Sequence, residues 1–151
     1  MVNNTCFLFG HHDTPDTILP LLRNAIEIYI LSKGVRIFIV GHYGEFDRLA
    51  RVSLLQLKKK YPEIRLYMLI PYHPAECPVE VPDGFDGTYY PPLEGVPRRY
   101  AIVRANRFMV QWADSMICCV KHYGNSRNLL EQAQKRGIPI LNLGKCPVEN
   151  P

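Results

Sequence analysis

The chain has 151 residues, one domain's worth and enough to bury a core without disulfide or metal staples. Hydrophobic residues make up 47% and charged residues 21%, and 18 basic against 14 acidic groups leave +4, too small an excess to mark a nucleic-acid binder. Five cysteines without a C-x-x-C spacing argue against a disulfide framework and a zinc ribbon, and the lack of a long apolar run or a basic-then-apolar leader predicts a cytoplasmic protein without a membrane span.

Thr5–Phe9 is a short apolar run closed by Gly10 and predicts a buried strand. Asp13–Asp16 carries turn and cap residues. Ile18, Leu19, Leu22, Ala25, Ile26, Tyr29 and Ile30 then recur at helical spacing, with Gly34 as the stop. Arg36–Val40 is a second strand, closed by Gly41. A helix follows from about Glu45 to Tyr61, with Phe46, Leu49, Ala50, Ser53, Leu54 and Leu57 inward. Its acids lie in the first turn and Lys58–Lys60 in the last, matching the helix dipole. Arg65–Ile70 is a third strand.

Residues 71–97 change character. They hold seven of the 13 prolines, five of the 14 acids and no Lys or Arg, so this segment carries −5 and the rest of the chain +9. A loop of this length in a compact domain is functional or disordered. Tyr72, Phe85, Tyr89 and Tyr90 make it too aromatic for a plain linker, so it is read as a lid or flap. Arg98–Ala113 is helix-like, with Ile102, Val103, Phe108 and Met109 among its apolar positions. Ser115–Val120 is a fourth strand, in which Cys118 and Cys119 read as buried thiols. Gly124–Ser126 opens another helix that Gly137 stops, and Ile138–Leu143 is a fifth strand.

Continuous apolar strands alternating with helices predict an α/β fold. It is a Rossmann-like doubly wound sheet of about five mainly parallel strands with helices on both faces, in a single domain spanning 1–151. Such sheets bind ligands outside the carboxyl ends of their strands. The sequence places Gly10-His11-His12, Gly41-His42-Tyr43-Gly44-Glu45, Tyr72-His73 and His122-Tyr123-Gly124-Asn125-Ser126 on that rim, so all five histidines fall there. Glycines let backbone N–H groups approach a ligand, and helix N-termini favour phosphate. The same glycines also serve as plain turn formers, and each histidine taken alone also reads as an exposed loop residue. No pair of histidines has H-x-x-x-H spacing, so no metal site is expected.

Tyr43, Tyr72 and Tyr123 are candidates to stack on a base, as are the flap residues Tyr89 and Tyr90; the competing role is packing the flap onto the sheet. Arg98, Arg99, Arg104 and Arg107 form a basic cluster that would hold phosphate or pair with the acidic flap. Asp114 reads as a cap or turn residue, and Glu131 as a solvated helix residue.

These pieces together resemble a family. TCFLFGHHDTP, GHYGEFDRLA and RANRFMVQWADSMICCVKHYGNSRNLLEQAQKRGIPILNL are similar, in order and spacing, to motifs of the SLOG superfamily (Smf/DprA and LOG-type). More narrowly they resemble its DUF1273-like branch. The resemblance implies a Rossmann-like domain whose glycine loops bind a nucleotide or nucleotide derivative, and a homo-dimer. LOG-type members release a base from a nucleoside monophosphate through a P-G-G-x-G-T-x-x-E signature. Here Leu129 stands where that glutamate would be, Asn125 replaces the second glycine, and His12 stands where closer relatives carry arginine.

The first expectation is therefore a nucleotide-binding protein of the ligand-sensor or regulatory type. Phosphate would lie against Gly41–Gly44 and Gly124–Ser126, with contacts from Gly10, His11, His42, Glu45 and Arg107. The alternative is an enzyme cleaving an N-glycosidic bond, LOG-like or nucleoside deoxyribosyltransferase-like. It needs a carboxylate at the anomeric carbon, for which Glu45, Asp47, Glu76 and Glu94 are candidates. Nucleic-acid binding, as in DprA-type relatives, finds no stripe of basic residues interleaved with aromatics.

Overall fold

The computed structural model describes residues 4–145; Cys146 lies outside them. In chain order the elements are β1 (Thr5–Gly10), α1 (Leu19–Lys33), β2 (Ile37–Val40), α2 (Glu45–Lys60), β3 (Arg65–Leu69), β4 (Gly87–Tyr89), α3 (Ala101–Trp112), β5 (Ser115–Cys119), α4 (Asn125–Gln134) and β6 (Ile140–Asn142). They build one six-stranded sheet in the order β4-β3-β2-β1-β5-β6, with every neighbouring pair parallel. From β1 the chain winds outward through β2, β3 and β4, then returns to the other side of β1 to lay down β5 and β6. The switch point of this doubly wound, Rossmann-like sheet is therefore the gap between β1 and β5, where Gly10 pairs with Cys119.

The alternation along β1 divides the core. Cys6 and Leu8 point to the side covered by α1 and α2, where they meet Leu22, Ile26, Phe46 and Leu54. Phe7 and Phe9 point to the side covered by α3 and α4, where they meet Ala105, Met109, Leu130 and Ala133. Strands buried on both faces have to be apolar throughout, which is why TCFLF and SMICC show no period of two. The inward stripe of α2 follows the sequence reading residue for residue. For α3 the sequence names apolar positions without choosing an inward stripe. The stripe is Ala101, Ala105, Met109 and Val110, while Ile102 is exposed and Phe108 half-buried. Two alanines on the inner face bring this helix close to the sheet and turn Ile102 toward the rim.

The segment read as a flap supplies the sixth strand. β4 extends the sheet beyond β3, with Tyr67 opposite Gly87 and Leu69 opposite Tyr89. Asp86 fixes its start: its carboxylate accepts the Leu66 N–H at 2.8 Å and the Lys58 ammonium at 3.0 Å, and its own N–H donates to Leu66 O at 2.8 Å. Arg65 reaches the same carboxylate at 3.5 Å. The acidic segment thus pairs with the end of α2 and with β3. Among the described residues no ion pair joins it to Arg98, Arg99, Arg104 or Arg107. Leu93 and Phe85 pack into the two core layers and, with β4, anchor this segment to the sheet edge.

Candidate functional site

At the switch point lies a cavity of about 170 Å³. The ends of β1, β2 and β3 contribute Phe9, Gly10, Gly41, Leu69 and Pro71. The β1–α1 loop gives His12, the start of α2 gives Tyr43 and Asp47, α3 gives Ile102, Ala105 and Asn106, and the start of α4 gives Asn125, Ser126 and Leu129. Two helix N-termini therefore border one space. Neither α2 nor α4 has a side-chain cap; the first amide of α2, at Glu45, is taken by His12 O, while those of α4 are left to water or to a ligand.

The loops are held in place by backbone-level contacts. Gly44, the residue before α2, has φ 95° and lies so close to the first loop that a Cβ on it would sit 2.7 Å from His12 Cα. The close approach lets Glu45 N–H donate to His12 O at 2.8 Å. Gly124 starts α4 at φ 146°, with open space beside it, so backbone conformation rather than crowding selects glycine there. At Gly10 the Phe46 ring fills the place of a side chain, 2.5 Å from where a Cβ would be. Gly41 leaves room for a carboxylate: a Cβ there would lie 2.7 Å from Asp47 Oδ2.

His11 ties the first loop to the fourth. It is buried, 8% exposed, and its Nε2 accepts the N–H groups of Lys121 at 2.9 Å and His122 at 3.3 Å. Its ring stacks on His122 with centroids 3.7 Å apart and planes 4° from parallel. Burial, and then the neighbouring His122, push its pKa below the ordinary imidazole value. A nitrogen that accepts two N–H bonds requires the neutral ring. His11 is committed to the protein and does not line the cavity; His12 is the histidine that lines it.

The other expected residues divide in the same way. Tyr43 lines the cavity, whereas Tyr123 is 81% exposed under the Arg127 guanidinium. Tyr72 lies in an adjoining hollow of about 180 Å³ formed with the flap, where Arg98 stacks on its ring at 4.4 Å. His42 points its Nδ1 at Leu69 O, 3.3 Å away, and packs on Tyr43; burial lowers its pKa. Arg107 lies on the exposed side of α3, where it borders a hollow between α3 and α4. Glu45 is engaged by Arg48 Nε at 2.8 and 2.9 Å on the surface of α2. Glu76 lines the Tyr72 hollow and Glu94 is exposed. Asp114 spends its carboxylate on Thr5 N–H at 2.9 Å, and Glu131 pairs with Arg127 at 3.4 Å.

Asp47 is the carboxylate of the cavity. It sits three residues into α2 and turns back, so that Oδ2 accepts Tyr43 N–H at 3.1 Å. Burial pushes its pKa up to about 7, against the lowering effects of that hydrogen bond and of Arg51. Arg51 itself donates to Gly41 O at 3.1 Å. None of the described Lys or Arg residues lines the cavity. Leu129, at the position of the LOG-type glutamate, faces the cavity as an apolar wall.

No protein-family model matches this chain, and no curated protein matches it in sequence. Solved structures do match. The molybdenum cofactor carrier protein from Chlamydomonas reinhardtii superimposes with a TM-score of 0.58 at 16% identity, covering 95% of this chain and 78% of that one. The molybdenum cofactor binding protein from the phototrophic bacterium Rippkaea orientalis gives 0.59 at 17% identity, with 93% and 76% covered. A second structure of the Chlamydomonas carrier gives 0.56 at 14% identity. The chain shares the Rossmann-like fold of these proteins. Among the described residues no helix is long and apolar enough to cross a membrane, and no group of three His, Cys, Asp or Glu side chains is placed to hold a metal ion.

Proposed function

We propose that this chain binds a phosphorylated small molecule, a nucleotide or a nucleotide-like compound, in the crevice between the β1 and β5 loops, and acts as a cytoplasmic ligand sensor or carrier. The observation that carries the reading is one cavity at the switch point of the sheet, bordered by the start of α2 and by the N-terminus of α4, which has no side-chain cap. His12, Asn106, Asn125 and Ser126 supply polar groups, while Phe9, Tyr43, Leu69, Ile102 and Leu129 supply apolar wall for a flat ring. The molybdenum cofactor, named for the solved neighbours, joins the nucleotides as a candidate occupant. Membership of the SLOG superfamily, in its DUF1273-like branch, is part of the same reading.

The test is thermal melting with a panel of nucleoside monophosphates, ADP-ribose-like compounds and the molybdenum cofactor. A ligand at 100 times its Kd adds about 2.7 kcal/mol, which for a domain of this size raises Tm by roughly 5–10 °C. No shift with any member of the panel contradicts the reading.

The enzymatic alternative, cleavage of an N-glycosidic bond, now centres on Asp47, because Glu45 is held by Arg48 on the helix surface. Release of free base from a nucleoside monophosphate, lost in Asp47→Asn, would support it over binding alone. The homo-dimer expected from the family resemblance has one feature in its favour: α1 exposes Leu21, Ile28 and Leu31 along one stripe.

A further inference from the structure

The cavity is electrically uneven. One end, at the start of α2, carries the Asp47 carboxyl, the one acidic group among the described residues lining it. The other end, at the start of α4, offers Asn125, Ser126 and uncapped amides with no acid beside them. A phosphate at the α2 end would meet a carboxylate already turned toward those amides, and like charges at that distance repel. The α4 end attracts the phosphate instead. With no Lys or Arg among the described lining residues, the site suits a single phosphate rather than a di- or triphosphate.

Asp47 then faces the rest of the ligand. Its Oδ2 is held by Tyr43 N–H, in the space that Gly41 leaves open. No hydrogen bond from a described residue reaches its Oδ1. A fixed carboxyl beside the Tyr43 ring and the Leu69 and Ile102 walls is a docking point for a flat heterocycle with N–H donors on its edge. A carboxylate has two oxygens in one plane and pairs best with two adjacent donors. A 2-amino-4-oxopyrimidine ring presents that pair, a ring N–H next to an exocyclic NH2. Adenine, cytosine and hypoxanthine do not.

Resting on the binding reading above, we propose that Asp47 selects a monophosphorylated ligand carrying a 2-amino-4-oxopyrimidine ring, held with its phosphate at the start of α4 and its donor edge on the Asp47 carboxylate. Guanine nucleotides and phosphorylated pterins are the two sources of that chemistry.

The experiment is calorimetric titration of the full chain with GMP, IMP, AMP and a monophosphorylated pterin, followed by the same series on Asp47→Asn. IMP is GMP without the 2-amino group, so the comparison isolates one donor. GMP, the pterin or both are expected to bind about tenfold or more tightly than IMP and AMP, the usual penalty when a buried acceptor loses its donor. The tighter of the two names the source. In Asp47→Asn the preference collapses to within about twofold, while phosphate-dependent binding remains. The series on the unaltered chain decides the question even if the variant melts early. Equal affinity for all four ligands overturns the selectivity and leaves the binding reading standing. So does a GMP-over-IMP preference that survives Asp47→Asn. If none of the four binds, this proposal fails, and the binding reading goes with it only if the wider panel is silent too.

Discussion

Asp47 and His11 give this molecule two opposed pH dependences, each readable at the residue. Burial pushes Asp47 up to about 7 from an ordinary value of 3.8. The unfolded chain ionises there first, so the native state loses stability as pH rises from about 4 through about 7. Asp47→Asn keeps an acceptor for Tyr43 N–H and removes the buried charge. It is expected to stabilise the protein by about 1–2 kcal/mol at pH 8 and to change nothing at pH 3.5, read by denaturant titration at the two pH values. His11 runs the other way. Its pKa lies below the ordinary 6.5 because it is buried and stacked on His122. Its contribution is whole above 6.5 and is lost as pH falls through its lowered value. His11→Ala strands the N–H groups of Lys121 and His122 and should cost about 2–3 kcal/mol at pH 7.5. His11→Gln, which restores an acceptor, should recover part of that and flatten the loss on acidification. A melting curve for His11→Ala equal to that of the unaltered chain would remove the structural role assigned to this ring.

At this scale the sequence was legible by position and not by orientation. That five histidines and four glycines occupy one rim follows from where strands end. Which histidine faces inward depends on the turn, and the turn at Thr14, which closes back on His11 O at 2.8 Å, folds His11 under the loop and leaves His12 at the cavity. Asp47 stood among the candidate carboxylates but behind Glu45. The signal that favours it is its place: the third residue of a helix is where a side chain turns back to the preceding loop, while the first residue points to solvent.

At the scale of elements, four helices and five strands could be taken from apolar runs and their punctuation, and β4 could not. Gly87-Thr88-Tyr89 is three residues long, half-buried throughout and set among prolines, so it carries neither an apolar run nor an alternation. What makes it a strand is tertiary: an open edge on β3 and the anchoring carboxylate of Asp86. Asp86→Ala should therefore release the edge. The expected result is a loss of about 1–2 kcal/mol together with faster proteolytic cutting inside residues 71–97, compared with the unaltered chain under the same native conditions. Unchanged cutting would mean that Leu93 and Phe85 alone hold the segment. The inner stripe of α3 escaped for a related reason. Alanine is apolar but small, and Ala101 and Ala105 are outvoted in any sequence pattern by Ile102 and Phe108, although it is the small residues that let the helix approach the sheet.

For the whole molecule, the order β4-β3-β2-β1-β5-β6 puts the loops of the proposed ligand site at one seam. The reversal of winding at β1 leaves a gap that neither layer of helices fills, and the two helices whose N-termini meet there start from bare glycines. The net charge of +4 hides a segment at −5 and a remainder at +9, and the structure partly reconciles them through Asp86, Lys58 and Arg65. The basic cluster on α3 stays outside that reconciliation and outside the cavity lining. The proposed site would therefore hold a ligand by amide dipoles rather than by arginines, unlike a site for a highly charged ligand.

Phosphate-dependent binding at this seam is tested most directly by an amide-resolved NMR titration of the 15N-labelled chain with a nucleoside monophosphate, with the parent nucleoside as control. A phosphate held at this cavity gives saturable shifts of the Asn125, Ser126, His12 and Tyr43 amides that need the phosphate, with β4 and the outer face of α1 unmoved. Shifts confined to the exposed arginines of α3, or no saturable shift at the starts of α2 and α4 with any phosphorylated ligand, would contradict it.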